Sequence, residues 1–382
     1  MRKQNEGEEG LRNWRYSYNF LPIFYINTLL VSVISNFLCF SNHSWVFFLT
    51  KLVACLVSGI TFDYLPTKFN IIGYLILGAG FGIWEFWALA IVSPAIELIT
   101  LSYVAEMVTD NCKYRALSDI LAIQLVGGSI GKILNIYIQP GFLAQIFFPC
   151  ACFILAIVNA AIFQEIRKSL RPNYISHNET TVYPKSMALT VSFLLIFTTG
   201  TVLFLVRDFF ANNYFGSSSL ITELFSIIFV PIGLYYVVWY HHRRDLRIIT
   251  LASGTIGTIL FLLLLLNYIF YAGLAGVFLS FPIARAAGFA IFARILGPFY
   301  YGKFFALAMA GENIMPLLNL TDWWIVFILC IIFCFISFAG LALFYNQCDC
   351  HRDYVIGHTV SLGGNKRAGF KIKLKRASVL VT

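Results

Sequence analysis

The stretch that decides the fold is SWVFFLTKLVACLVSGITFDYLPTKFNIIGYLILGAGFGIW, residues 44–84. Two apolar runs flank one short polar break, TFDYLPTKFN at 61–70, which holds Asp63, Pro66 and Lys68. A helix needs about 20 mostly apolar residues to cross a ~30 Å hydrocarbon core, and each run is close to that length. The break then reads as a turn at the membrane surface: Pro66 stops a helix, and Lys68 anchors the link on the cytoplasmic side. Strict two-residue alternation is absent, so spanning helices are expected and not a barrel.

Composition extends this reading to the whole chain. It is 59% hydrophobic and 12% charged, against roughly 45–50% and about 25% in soluble domains. Mean hydropathy is +0.79, as expected of an integral membrane protein. Outward from 61–70, apolar runs fall near 20–40, 45–62, 71–91, 94–109, 117–138, 142–164, 187–206, 219–240, 248–267, 271–292, 304–319 and 323–345, predicting twelve spans. The third and fourth are crowded, and the reversal between them is expected at Ser93-Pro94, where proline suits the first turn of a new helix.

Lysine and arginine should gather on cytoplasmic loops. Of 27, four precede residue 20, and others fall at Lys68, Lys113/Arg115, 167–185, 243–247, Arg294/Lys303 and in the tail after 345. All lie on one side of a twelve-span path, which puts both termini in the cytoplasm; Arg207, at a helix end, is the exception. The sequons at Asn42 and Asn319 fall on the outer side, and the one at Asn178 would be cytoplasmic. The formal charge of +9 follows from this topology, and no basic stripe large enough to fold points to nucleic acid. Nine cysteines lie scattered without metal or disulfide spacing, and Cys150 and Cys152 are expected to be buried small residues. Cys348 and Cys350 read as tail cysteines or palmitoylation sites.

A polar segment, 165–186, separates a six-span half at 20–164 from another at 187–345, with a 1–19 amino-terminal segment and a basic 346–382 tail that would be drawn to anionic lipid. The expected fold is therefore all-α: a major facilitator-type bundle of 12 transmembrane helices in two six-helix halves, with a site at the midplane between them. GLYYVVWYHHRRDLRII (233–249) echoes GITFDYLPTKFNII (59–72), though without a counterpart to Asp63.

Ionisable groups inside spans cost at least ~2.5–3.5 kcal/mol each, so they mark candidate sites. They are Lys51, Glu85, Glu97, Lys132, Arg285 and Glu312. Mutual pairing of the four in the first half is one explanation. Lys51 lies close enough to a helix end to snorkel, and Glu85 sits between Trp84 and Trp87 in an interfacial belt. Arg285 and Glu312 read either as an ion pair or as substrate and proton contacts. Gly127, Gly128 and Gly131 are expected to serve close helix packing. Trp84, Trp87 and Tyr103 are candidates for stacking on a flat or cationic ligand.

Several stretches together resemble the folate/thiamine transporter family. Asp63-Tyr64-Leu65 with Lys68 matches its motif after the second span, with Phe69 in place of a proline. ELITLSYVAEMV supplies Glu97, Ser102 and Tyr103 in the fourth span; KYRALS and Leu125-Val126-Gly127 follow, and RKSL stands after span six. The likeness covers roughly 61–135, more faintly 142–170 and 285–315. The family's first-helix motif is absent: RYSYNFL at 15–21 lacks its glutamate and prolines, and Thr100 and Leu101 replace tyrosines. The resemblance implies a vitamin carrier, and a glutamate at 97 implies thiamine or another organic cation.

The expected function is a plasma-membrane transporter working by alternating access. Glu97 would bind a thiamine-like cation, aided by Glu85, Tyr103, Trp84, Lys132, Arg285 and Glu312. Glu85 or Glu312 would take part in proton coupling, and Asp63, Lys68 and Arg115 would form a gate in which Asp63 meets a base or helix end near the fourth-to-fifth loop. One alternative keeps the carrier and changes the ligand to folate or another organic anion; a second is a transport-inactive receptor or membrane partner. No nucleotide loop, metal cluster or nucleophile triad suggests an enzyme or a cofactor.

Overall fold

The computed structural model describes residues 21–38, 45–81, 87–108, 110–138, 142–163, 186–210, 219–241, 245–264, 269–296, 301–312, 314 and 323–344. Among them are twelve α-helices: α1 Leu21–Leu38, α2 Trp45–Tyr64, α3 Thr67–Phe81, α4 Trp87–Met107, α5 Asp110–Tyr137 and α6 Phe142–Ile162, then α7 Ser186–Phe204, α8 Ser219–His241, α9 Leu246–Leu263, α10 Phe270–Leu296, α11 Tyr301–Glu312 and α12 Trp323–Leu343. A π-helical turn, Leu205–Phe210, continues α7. Eight of the described helices are long and apolar enough to cross a membrane. The central loop, the tail, the sequons, Cys348 and Cys350 lie outside the described residues.

Pro66 ends α2, and the side chain of Asn70 donates to the Thr61 and Leu65 carbonyls at 2.9 and 3.3 Å, satisfying acceptors that a finished helix leaves open. The reversal between the third and fourth spans differs from expectation. Ser93 and Pro94 lie inside α4, which begins at Trp87, so the chain does not reverse there; residues 82–86 lie outside the described residues. Proline is tolerated mid-helix in a membrane bundle because neighbouring helices re-satisfy the freed backbone groups; α6, α8 and α10 also carry one, at Pro149, Pro231 and Pro282. Lys113 and Arg115, expected in a loop, stand in the first turns of α5.

The packing repeats itself after six helices. α1 touches α4, α5 and α6, and α7 touches α10, α11 and α12. In the same way α3 meets α4 and α6 while α9 meets α10 and α12, and α2 meets α4 while α8 meets α10. The contacts between halves obey the same shift: α2 with α11 answers α8 with α5, and α4 with α11 answers α10 with α5. Two equivalent six-helix units facing each other produce this pattern, and α4 and α10, which occupy matching places, are the most enclosed of the spans.

Lipid removes the hydrophobic drive between helices, so close contact and interhelical hydrogen bonds must hold them. Large apolar side chains accordingly face outward, as with Phe153, Ile154 and Ile157 of α6 and Ile332, Phe335 and Ile336 of α12. Polar groups turn inward: the Asn27 and Asn159 amides bond each other in both directions at 2.9 Å, joining α1 to α6. Cys152 is buried as expected, whereas Cys150, two residues earlier, is exposed because positions i and i+2 do not share a helix face.

Gly127 and Gly131 seat α5 on α1. A Cβ at 127 would stand 3.2 Å from Ser32 Cβ, and one at 131 would run into the Val33 carbonyl oxygen. Gly131→Leu is therefore expected to lower the melting temperature of the detergent-solubilised protein, at a cost of ~1–3 kcal/mol or more, since backbone cannot yield as a side chain does. Gly73→Ala, with nothing within 4 Å of the added atom, should not lower it.

Candidate substrate cavity and its seals

Between the halves lies a cavity of ≈ 190 Å³. Its lining includes Ser35 and Asn36 of α1, Phe47 and Lys51 of α2, Ser93 and Glu97 of α4, Gln124 of α5, Arg207 after α7, Arg285 of α10 and Met309 of α11. Four of the 27 lysines and arginines, Lys51, Lys132, Arg207 and Arg285, lie apart from the basic segments. All four converge here: three line the cavity and Lys132 joins Arg207 at one end of it.

Two neutral donors reach Glu97. Gln124 Nε2 donates to Oε2 at 2.7 Å and Ser93 Oγ to Oε1 at 3.3 Å, while Ser35 Oγ donates to Ser93 Oγ at 3.4 Å. These bonds run from α4 to α5 and α1 and fix the carboxylate at the wall. Arg285, only 4% exposed, lies with its guanidinium 5.6 Å from the Phe289 ring centroid. Lys51 lines the cavity with its Nζ above the Phe47 ring, 4.9 Å from its centroid and one turn nearer the start of α2.

At the end that holds the α2–α3 turn, α2 crosses α11. A Cβ on Gly59 would stand 2.5 Å from the Gly302 carbonyl oxygen and one on Gly302 would strike the Gly59 oxygen, so the two backbones touch directly. Asp63 caps α11: its Oδ1 accepts from Gly302 N at 3.0 Å and its Oδ2 from Lys303 N at 3.1 Å. A carboxylate suits the unsatisfied N–H groups and positive dipole of a helix start. This helix end follows the tenth-to-eleventh connection, in the opposite half from the fourth-to-fifth loop named by the sequence. Lys303 Nζ donates to Tyr64 Oη at 2.9 Å, and the buried Lys113 of α5 donates to Tyr301 Oη at 3.1 Å. Tyr301 Oη in turn donates a hydrogen bond to the Ala293 carbonyl of α10 at 3.2 Å.

Toward the other end, Glu223 of α8, 2% exposed, takes two bases. Lys132 Nζ of α5 stands 3.4 Å from its Oε1, and Arg207 Nε 3.3 Å from its Oε2. The Arg207 guanidinium rests on Gly128, where a Cβ would come within 2.6 Å of it. One lysine of the first half is thus paired across the interface with an acid of the second. Glu223→Gln is expected to cost ~3–5 kcal/mol, because it leaves two enclosed cations without their acid; a melting temperature equal to wild type would count against the pair.

The predicted site residues divide as follows. Glu97, Arg285 and Lys51 meet at the cavity, and Lys132 stands behind Arg207. Tyr103 does not line it: the ring is buried in the first half, stacked on Phe24 at 4.5 Å and edge-on to Phe163 at 5.7 Å. Lys68 lies in the first turn of α3, and Arg115 is exposed on α5, one turn before Asp119, which accepts from Tyr25 Oη at 3.2 Å. Glu85, Trp84 and the side chains of Trp87 and Glu312 lie outside the described residues. Sequence reasoning missed Glu223, Lys113 with Tyr301, and a repeat it could have found: SPAIE at 93–97 and FPIAR at 281–285 each place a charge three residues after an in-helix proline, in the matching helices α4 and α10.

No protein-family model and no curated protein matches the chain. Solved structures do. The chain is similar to a major facilitator superfamily transporter, FucP, in the outward conformation, with a TM-score of 0.62 and 12% identity over 84% of this chain and 98% of that one. It is similar to the proton:xylose symporter XylE bound to 6-bromo-6-deoxy-D-glucose, with a TM-score of 0.64 and 12% identity over 87% and 96%. The human organic anion transporter MFSD10 (TETRAN) gives 0.55 and 13% over 82% and 83%. At these identities the likeness establishes the fold: a multi-pass membrane protein with the major facilitator architecture.

Proposed function

We propose that this chain, built on the major facilitator fold, is a secondary transporter that moves a small organic anion by alternating access. The carrying observation is the sign of the cavity: among the described lining residues, Lys51 and Arg285 stand with a single acid, Glu97, and Arg207 stands there too, engaged by Glu223. Two unlike charges 4 Å apart attract by about 4 kcal/mol at an effective dielectric of 20, and like charges repel equally. An organic cation would meet Lys51 and Arg285 there beside Glu97. The balance favours the anion alternative over thiamine, which the family resemblance and its glutamate at 97 had put first. Size narrows it further, since ≈ 190 Å³ falls below the ~300–1,000 Å³ of drug-sized ligand sites and suits a small metabolite better than folate.

Alternating access is supported by contacts between halves at both ends of the cavity. The Gly59–Gly302 crossing with the Asp63 cap would open for one side of the membrane, and the Lys132–Glu223–Arg207 cluster for the other. The basic end faces the cytoplasm on the positive-inside reading, which places both termini there and suits a plasma-membrane carrier. Asp63→Asn weakens a helix cap worth ~0.5–2 kcal/mol and is expected to slow transport by roughly 2- to 30-fold; unchanged transport would remove Asp63 from the gate.

Uptake into cells lacking endogenous carriers tests the proposal with labelled succinate, glutamate, glycerol 3-phosphate, folate and thiamine. A small anion should accumulate above mock-transfected cells and thiamine should not. Thiamine uptake without anion uptake would restore the cation reading. Uptake of none, with stable co-purification of a partner, would favour the receptor reading.

A further inference from the structure

We infer that Arg207 couples the substrate to a seal: the anion in the cavity and Glu223 compete for its guanidinium, and when the anion takes it Glu223 is left to the other half. This rests on the anion reading and adds to it how binding is felt at one end of the chamber. Arg207 stands in both places at once. It lines the cavity, and its Nε lies 3.5 Å from Oε1 and 3.3 Å from Oε2 of Glu223. The π-helical turn Leu205–Phe210 carries it, a rare conformation that recurs at functional sites. Its guanidinium rests on Gly128 of α5, where a Cβ would come within 2.6 Å of Nη2 and 2.9 Å of Nη1.

Glu223 is a shared acid. Lys132 Nζ approaches the same carboxylate at 3.4 Å, and neither base comes as close as the ~2.7–2.9 Å of a fully formed charge-assisted bond. The two bases differ in what they join. Arg207 and Glu223 both belong to the second half, whereas Lys132 belongs to the first, so of these two ion pairs it is Lys132 with Glu223 that ties the halves together. Arg207 draws the acid away from that tie. An anion that takes Arg207 leaves Glu223 to Lys132 and strengthens the pair across this end. Binding and closure are then linked, and the link is reciprocal: closing this end tightens the anion by the same factor by which the anion favours closure. If Arg207 spends about nine-tenths of its time on Glu223, removing that competitor tightens the anion by about tenfold.

Calorimetric titration of the purified full-length protein with succinate, glutamate and glycerol 3-phosphate reads the competition. Glu223→Gln removes the competitor and should tighten the best binder of the three by about 3- to 10-fold, while the maximal rate of its uptake falls because the tie between halves is lost. A role confined to holding the fold would leave the affinity unchanged or weaken it. Lys132→Gln does the opposite: Glu223 keeps Arg207 as its base, so the fold is spared, and the same anion should bind about 3- to 10-fold more weakly. Added to Arg207→Gln, neither change should move the affinity further. Weaker binding in a folded Glu223→Gln protein, or wild-type affinity in Lys132→Gln, would overturn the inference and leave the anion reading standing. Binding of none of the three would overturn it too, while the anion reading is judged separately by the uptake panel.

Discussion

Gly302→Val is expected to abolish transport, by at least about 100-fold, while each six-helix half stays folded. The added Cβ would strike the Gly59 carbonyl oxygen, stand 2.7 Å from Asp63 Oδ1 and 3.0 Å from Phe62 Cδ1. Two of these three are backbone or a carboxylate already engaged as a helix cap, so little can move aside. Overpacking of this kind costs ~1–3 kcal/mol, occasionally more. It is charged entirely to the state in which α2 and α11 meet, because these helices belong to different halves. Three kcal/mol shifts a conformational equilibrium by a factor of about 150, since each 1.4 kcal/mol is tenfold. The variant should therefore rest with this end parted, and a cysteine placed at Ser35 in the cavity wall should label faster with a maleimide than in wild type. Gly59→Val, striking the same crossing from α2, should behave alike.

Arg285→Gln is expected to weaken anion binding and uptake by about 30- to 5,000-fold. Truncating one partner of a buried charge contact costs ~2–5 kcal/mol, much of it from the group left behind. Arg285 is 4% exposed in the middle of α10, and the Phe289 face beside it orients the guanidinium. Arg285→Lys keeps the charge but loses the planar fork and should recover only part of the affinity. Titration of the purified variant, alongside its melting temperature, separates lost binding from lost folding. Wild-type affinity in a folded Arg285→Gln protein would remove this residue from the site.

Sequence periodicity carried the fold well because membrane spans are dictated by length and apolarity, which one chain displays openly. Its error at Ser93-Pro94 has a physical origin: proline is a helix start in water, whereas a packed bundle accepts it inside a span. That error also hid the site. With a turn placed at Pro94, SPAIE and FPIAR could not be aligned as equivalent helix interiors, and Glu97 was weighed without Arg285 as its counterpart. The anion reading proposed above was out of reach of the sequence for a related reason. Glu97 and Arg207 are 110 residues apart in the chain, and only the fold brings a base from the turn after α7 to the wall that holds Glu97 and Lys51. Glu223 was passed over because a single acid near a span end carries no signal until Lys132 and Arg207 are seen on either side of it. Asp63, by contrast, stood out in sequence as a charge in a greasy stretch, and its partner turned out to be the backbone of a helix start, which no side-chain pattern announces.

Counterflow in proteoliposomes tests the central claim most directly. Vesicles preloaded with the unlabelled anion that accumulates best in the uptake panel are diluted into a trace of the labelled form. A carrier with one cavity opened alternately by its two seals predicts a transient overshoot of label above equilibrium, lost in Gly302→Val and Arg285→Gln. Label that merely equilibrates, or never enters with any anion of the panel, would contradict it.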